Sequence, residues 1–137
     1  MRRLRVFAGQ QLDAYLTLRN DPTSNATSQL SPYLHFGTIS AQRVALTVAS
    51  AAGSPEAKEA FLEELIVRRE LADNFCFYNK EHGDPAGFPA WARKTLAEHH
   101  TDRREYNYSR QRFEEAETHD QLWNAAQREM VTRGKMH

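Results

Sequence analysis

Residues 54–79 read SPEAKEAFLEELIVRRELADNFCFYN, a long stretch with helical periodicity. Ser54 followed by Pro55 is a typical helix start, because serine caps the first turn and proline fits the first helical position. Apolar residues then recur on one stripe at Phe61, Leu65, Ala72 and Cys76, with Leu62, Ile66 and Phe75 beside it. The spacing predicts one amphipathic helix that runs to about Asn79.

The rest of the chain shows the same helical period and lacks the alternation of a β-strand flanked by a hairpin turn. In the first half, further helices are predicted from Leu12 to a stop at Asn20-Asp21-Pro22, from a Ser31 cap with Pro32 at the first position to Gly37, and from a Ser40 cap to Gly53. In the second half, they are predicted from about Ala90 to His99, from Ser109 to Glu117, and from Thr118-His119-Asp120 to Arg133-Gly134. We therefore expect an all-α fold. With 137 residues, the chain has room for one domain, residues 1–137.

Composition excludes several classes of protein. Hydrophobic residues make up 40% and charged residues 26% of the chain, and 18 basic residues balance 18 acidic ones. This is ordinary for a globular protein and gives no reason to expect nonspecific binding to DNA or anionic lipid. No apolar run approaches the roughly 20 residues of a bilayer span, and the start lacks the apolar stretch of a secretion signal, so we expect a cytoplasmic protein, or a nuclear one in a eukaryote, without membrane contact.

Cysteine and histidine placement argues against a metal centre. The single cysteine, Cys76, excludes an internal disulfide and a cysteine-rich zinc site. His82 with Cys76, and the pair His99-His100, do not have the spacing of zinc ligands. No metal site is predicted.

A hydroxyl-rich loop is the first candidate site. Thr27, Ser28 and Ser31 lie within five positions, directly before the helix that Pro32 opens. Free N–H groups and the positive dipole end of a helix favour a phosphate, and hydroxyls add donors without charge. Equally, Thr27 and Ser28 can be ordinary turn residues and Ser31 a helix cap. Spacing alone favours this second interpretation.

The middle of the long helix and the last helix hold the other candidates. Glu64 and Arg68 are four residues apart, so they can form an ion pair on a solvated face; if that face lines a cavity, the pair indicates a functional site. In the last helix, Trp123 is typical of a core residue, and Asn124 places an amide beside the small Ala125 and Ala126.

Three segments in register, which together span nearly all of the chain from Leu12, carry a resemblance. Residues 28–40, SQLSPYLHFGTIS, are similar to the flavin phosphate motif of the photolyase/cryptochrome family. Residues 63–76, EELIVRRELADNFC, and 118–127, THDQLWNAAQ, look like the class II cyclobutane pyrimidine dimer photolyases. The final Gly134-Lys135-Met136-His137 fits the same subclass. The resemblance implies part of the helical FAD-binding domain of a photolyase.

The resemblance also implies roles for individual residues. The FAD diphosphate and ribityl contacts fall on Tyr15, Thr27, Ser28, Gln29, Leu30 and Ser31. Arg68 lies where the family has a flavin-proximal arginine. Glu64 would contact the damaged base pair and stabilise the dimer radical anion by hydrogen bonding or proton sharing. Asn124 would lie at the dimer pocket, and Trp123 would belong to the electron relay. Arg19 and Tyr108 would contact the lesion or its DNA backbone.

The function that the resemblance implies is light-driven repair of cyclobutane pyrimidine dimers in DNA by electron transfer from reduced FAD. No protein partner is predicted. The chain lacks the family's N-terminal α/β antenna domain and the Trp-rich region after the Lys-Met-His position, so we expect a fragment that is inactive alone and binds FAD weakly or not at all. Two alternatives stay open: a cryptochrome-like flavin photoreceptor without repair activity, and a helical interaction module without a cofactor.

Overall fold

The computed structural model describes residues 1–135, and these residues form helices and connecting loops without a β-strand. The expected all-α fold is confirmed. Contacts divide the chain into two compact units, Met1–Phe88 and a second unit that begins at Pro89. The prediction of one domain over residues 1–137 stays a prediction. Met136 and His137, part of the predicted Lys-Met-His match, lie outside the described residues.

The first helical segment begins ten residues before the predicted start at Leu12. Helix α1 covers Arg2–Val6 and α2 covers Leu12–Leu18, and a π-helical turn at Phe7–Gln11 joins them. The buried residues of this segment are Leu4, Phe7, Leu12 and Tyr15. The step from Phe7 to Leu12 is five residues, which a π turn places on one face and an α-helix does not. The 3.6-residue period therefore failed to detect this helix.

Helix α3, Ser31–His35, begins differently from the prediction that Ser31 caps it. The residue in the cap position is Leu30, already in the helical region at φ −92° and ψ −8°, and no side chain caps this end. The Ser31 cap is therefore wrong, because the buried Leu30 starts the helical conformation one residue earlier and moves Pro32 to the second helical position. Gly37 ends the turn with φ +65°, as predicted.

Two predicted serine caps are confirmed. Ser40 Oγ accepts a hydrogen bond from Arg43 N–H at 3.2 Å and starts α4, Ala41–Ala49. Ser54 Oγ accepts one from Ala57 N–H at 3.2 Å and starts α5, Pro55–Leu62. In both cases the side chain satisfies a donor of the first turn that has no partner within the helix.

The long helix predicted from residue 54 is interrupted. After α5, the segment Glu63–Arg68 forms a π-helical turn, and α6 then covers Arg69–Tyr78. Phe61 and Leu65 of the predicted stripe are buried, whereas Ala72 and Cys76 are exposed. The π turn adds a residue to one helical turn, so the stripe no longer continues on the face that packs against the core.

The core of the first unit lies where α2 packs against α5. Phe7, Tyr15 and Phe61 form an aromatic group, with ring centroids 4.8 Å apart for Phe7 and Phe61 and 5.4 Å apart for Tyr15 and Phe61. Val44 and Val48 of α4 close one side of this core. The group therefore fixes the position of Tyr15, a predicted site residue.

The second unit contains three helices among its described residues. They are α7 at Ala90–Glu98, α8 at Arg110–Glu114 and α9 at Gln121–Arg133. Helix α8 ends three residues before the predicted Glu117, because Ala116 turns to φ +58°. Asp120 caps α9 by accepting from the N–H groups of Leu122 and Trp123, and Gly134 ends that helix with φ +66°.

Candidate functional site

The hydroxyl-rich loop is held in place by an arginine that sequence reasoning missed. The Arg3 guanidinium, on α1, donates from Nε to the Ser28 carbonyl at 3.0 Å and from Nη2 to the Thr27 carbonyl at 3.2 Å. These bonds join residues 24 and 25 positions apart. The only signal in the sequence is the basic Arg2-Arg3 pair, and this pair does not predict the contact with residues 27 and 28.

Further contacts define the shape of this loop. Ala26 and Leu30 are buried, and Leu30 is only 2% exposed, so the loop is fixed at two points. Ser28 Oγ accepts from Leu30 N–H at 3.4 Å, and Gln29 Nε2 donates to Asn25 Oδ1 at 2.5 Å. Gln29 has φ +54°, a left-handed conformation that is uncommon for residues other than glycine. The Thr27 and Ser28 side chains are half-buried and that of Ser31 is exposed.

A second group joins Tyr15, Arg19 and Glu64, three residues far apart in the sequence. The Arg19 guanidinium carbon lies 5.5 Å from the centre of the Tyr15 ring, over the ring face. Burial raises the pKa of Tyr15 above its ordinary value; the positive charge of Arg19 opposes the rise, and the negative charge of Glu64 adds to it. The structure thus places a phenol, a guanidinium and a carboxylate in one electrostatic neighbourhood.

Arg19 also carries an unused donor. Its Nη1 atom is buried and has no hydrogen-bond partner among residues 1–135. An unsatisfied buried donor is costly, more so on a charged group. Nη1 of Arg19 is therefore a candidate donor to an acceptor from outside residues 1–135.

Arg68 does not pair with Glu64. Its Nε lies 3.7 Å from Oε1 of Glu63, and both side chains are largely exposed. The pairing predicted from a spacing of four is wrong because both residues lie in the π turn, where positions five apart meet on one face. Glu64 is exposed, and its negative charge acts on Tyr15.

The second unit carries an aromatic cluster, formed by Tyr106, Tyr108, Phe113, His119 and Trp123. Trp123 contacts Phe113 edge-on with ring centroids 5.0 Å apart, and Phe113 contacts Tyr108 edge-on at 5.5 Å. The rings of Tyr106 and His119 stack with centroids 3.8 Å apart. Trp123 is 38% exposed, so the expectation of a core tryptophan does not describe it.

Tyr108 occupies the centre of this aromatic cluster. Its hydroxyl oxygen lies 2.6 Å from Nδ1 of His119 and accepts a hydrogen bond from the His119 backbone N–H at 2.9 Å. The Arg112 guanidinium carbon lies 5.1 Å from the centre of the Tyr108 ring. A cavity of about 470 Å³ opens here, and Tyr108, Trp123 and the basic Arg103 and Arg104 are among its lining residues.

Asn124 is buried, at 2% exposed, and its amide is bound on both sides. Its Oδ1 accepts from the Thr118 hydroxyl at 2.8 Å and from the Thr118 N–H at 3.0 Å, and its Nδ2 donates to the Thr118 carbonyl at 2.8 Å. Three bonds to one residue fix the turn that carries His119 and Asp120. Sequence reasoning placed Thr118 at a helix start but did not identify it as the partner of Asn124.

The predicted site residues therefore fall into separate groups. In the first unit, Tyr15, Arg19 and Glu64 form one group, and Thr27, Ser28, Gln29, Leu30 and Ser31 form the loop that Arg3 holds. In the second unit, Tyr108 and Trp123 line one cavity and Asn124 is buried beside Thr118. Arg68 lies on an exposed surface.

In residues 1–135, no helix is both long and apolar enough to cross a bilayer. Within the same part of the chain, no three His, Cys, Asp or Glu side chains come together in a way that could hold a metal ion.

The chain is similar to proteins named deoxyribodipyrimidine photo-lyase. It is 56% identical to the one from Oryza sativa subsp. japonica over 96% of this chain and 26% of the relative. It is 52% identical to the Arabidopsis thaliana protein over 96% of this chain and 27% of that relative. It is 50% identical to the protein of Methanothermobacter thermautotrophicus over 96% of this chain and 28% of that relative. No protein-family model matches the chain.

These similarities, on an all-α fold, identify the class. The chain belongs to the deoxyribodipyrimidine photo-lyase family, since curated members match nearly all of it at 46–56% identity. It spans about a quarter of the length of these relatives. The resemblance to photolyases is thus confirmed at the level of the family.

Proposed function

We propose that this chain is part of the cofactor- and lesion-binding region of a class II photolyase, which repairs cyclobutane pyrimidine dimers in DNA with FAD. The observation that carries the proposal is the 46–56% identity to four photo-lyases over almost the whole chain. The geometry of the loop and of the Tyr15, Arg19 and Glu64 group supports it.

The loop fits the phosphates and ribityl chain of FAD. Residues 25–31, NATSQLS, contain hydroxyl and amide donors but no carboxylate that would repel an anion. Since Ser31 Oγ does not cap α3, that hydroxyl is not committed to the helix start. The side chain of Leu30 is in the core, so its contact with a cofactor would come from the backbone. When bound, reduced FAD supplies the light-driven electron that splits the cyclobutane ring.

The Tyr15, Arg19 and Glu64 group fits recognition of a charged or polar ligand. Buried Nη1 of Arg19 would donate to an oxygen of the lesion or its phosphate. Glu64 would contact the dimer as a hydrogen-bonding or proton-sharing group. Tyr15, fixed in the core, would offer a neutral hydroxyl donor to the cofactor. Arg68 would lie beside the flavin, with its charge partly balanced by Glu63.

The second unit would supply DNA contact and electron relay. Tyr108 would touch the lesion or its backbone, with Arg103 and Arg104 in the same cavity as cations for phosphate. Trp123 would act in the relay that reduces the flavin. Asn124 would serve the dimer pocket, and because its amide is already bound to Thr118, we expect it to position the turn rather than to donate to the dimer.

A chimera tests the proposal. The segment of the Oryza sativa photo-lyase that matches this chain is replaced by this chain, and the purified product is assayed for flavin content and for loss of thymine dimers under blue light. We expect bound flavin and light-dependent repair, with none in the dark. Flavin without repair would contradict the proposal in favour of a photoreceptor, and a folded chimera without flavin would favour an interaction module.

A further inference from the structure

We propose that Arg3 is a positioning residue for the phosphate-binding loop: by holding the carbonyls of Thr27 and Ser28, it presents the following backbone N–H groups to a phosphate. This deepens the proposed function and rests on it. The supporting observation is the pair of hydrogen bonds from Nε and Nη2 of Arg3 to two consecutive carbonyls, at 3.0 and 3.2 Å.

The direction of the N–H groups follows from peptide geometry. In a planar trans peptide, the C=O and the N–H point in opposite directions, and the described residues contain no cis peptide. Because the Thr27 and Ser28 carbonyls point at Arg3, the N–H groups of Ser28 and Gln29 point away from it. Two successive donors thus face the same side of the loop.

The left-handed conformation of Gln29, followed by the right-handed conformation of Leu30 at φ −92° and ψ −8°, adds to this arrangement. Successive residues that alternate between right- and left-handed conformations turn their N–H groups toward one concave spot that attracts anions. Gln29 adopts φ +54°, which costs free energy and persists only when neighbouring contacts enforce it. The Arg3 bonds hold the residue before Gln29, and the Asn25 bond holds its side chain.

A charged side chain suits this role better than a neutral one. Hydrogen bonds from guanidinium to carbonyl are stronger than neutral ones, and the planar fork bonds two carbonyls at once. The remaining positive charge also adds to the attraction for phosphate. Lysine would keep the charge and has three donors, but it lacks the planar fork that holds both carbonyls in a fixed geometry.

The test uses this chain with inorganic pyrophosphate as the probe. Backbone N–H signals of Ser28 and Gln29 are followed by NMR during titration of the wild type, Arg3→Met, Arg3→Lys and the control Arg5→Met. Arg5 is an exposed arginine on the same helix, so its loss removes one charge without touching the loop. Thermal unfolding of each variant sets a temperature at which all of them are folded.

We expect pyrophosphate to shift the Ser28 and Gln29 N–H signals of the wild type. Arg3→Met should weaken binding about 10-fold, Arg3→Lys should lie between, and Arg5→Met should stay within about twofold. If the folded Arg3→Met binds as the wild type does, the inference about Arg3 is wrong and the proposed function stands. Absence of binding by the wild type would overturn the phosphate site itself, and the inference with it.

A purely structural role for Arg3 predicts a different result: lower thermal stability with unchanged pyrophosphate affinity of the folded protein. If Arg3→Met does not fold, Arg3→Lys decides. Affinity equal to that of the wild type in this variant would then contradict the inference, because lysine keeps the charge but lacks the rigid fork to which the inference assigns the loop geometry.

Discussion

Tyr15 links the core to the candidate site. Its ring packs against Phe7 and Phe61, while Arg19 lies over the ring and the charge of Glu64 reaches it. Sequence similarity assigned these residues to three separate tasks: cofactor, DNA and dimer. The structure brings them together, so a change at one should be measurable at another.

Tyr15 therefore reports on Glu64. Burial raises the pKa of Tyr15, so the free energy of unfolding should fall as the pH rises from the ordinary tyrosine value of about 10 through the raised value of the folded state. Glu64→Gln should lower the pKa of Tyr15, because a negative charge nearby is lost. Ultraviolet titration of the phenols measures this, with Tyr15→Phe to assign the signal. An equal shift in the control Glu59→Gln would contradict the pairing.

The hydrogen bonds between Asn124 and Thr118 give a second prediction for a single residue. Asn124→Ala should lower the free energy of unfolding of the second unit by about 1–3 kcal/mol, because it leaves the Thr118 N–H and carbonyl without their partner. Urea unfolding measures the loss. The exposed Gln121→Ala, on the same helix, is the control and should change little; equal stability of Asn124→Ala would show that the Thr118 bonds do not matter.

The helix starts could be predicted from local residue identity, whereas the contacts of Arg3 with the loop could not. The Ser40, Ser54 and Asp120 side chains act within three residues, so their sequence context was enough to identify them or the helix starts they mark. Arg3 binds carbonyls 24 and 25 residues away, and no local pattern encodes that distance.

At the scale of elements, the helix ends depend on which side chain reaches the first turn. Ser54 accepts from Ala57 N–H, whereas the cap position of α3 is held by Leu30 and no side chain caps that end. Two Ser-Pro sequences thus start helices in different ways. The difference arises because Leu30 is buried in the core with a helical backbone conformation. The helix therefore begins at Leu30, and Ser31 does not occupy the cap position.

This contrast is testable with two matched variants. Ser54→Ala should lower the free energy of unfolding by about 1 kcal/mol, the usual effect of losing a cap. Ser31→Ala should change it by less than about 0.5 kcal/mol, as for other surface substitutions. Thermal unfolding followed by circular dichroism compares the two. A loss at Ser31→Ala as large as that at Ser54→Ala would mean that Ser31 is the cap after all.

The two π turns mark the limit of periodicity as a guide. At Phe7–Gln11 and Glu63–Arg68, the helix carries an extra residue, which shifts every later position around the axis. A 3.6-residue period therefore missed α1 and placed Arg68 beside Glu64 instead of Glu63. The first π turn keeps Phe7 and Leu12 in the core, and the second separates Glu64 from its predicted partner.

At the scale of the molecule, the chain holds one well-packed core in the first unit and a more open second unit. Phe7, Val44 and Val48 are fully buried in the first, whereas the buried residues of the second unit are Ala116 and Asn124 among those described. Large apolar side chains such as Phe77, Trp91 and Leu122 are exposed. Family membership follows from similarity to relatives four times as long, and whole-protein activity stays a proposal.

The Glu64 carboxylate in the photo-lyase chimera tests the central claim most directly. Repair of thymine dimers per absorbed photon is measured for the chimera, for its Glu64→Gln variant and for the control Glu70→Gln, an exposed carboxylate of the same helical segment. Glu64→Gln should retain flavin and lose at least about 10-fold in repair, as when one group that stabilises developing charge is removed, while Glu70→Gln repairs normally. Unchanged repair in Glu64→Gln would contradict the role assigned to this group.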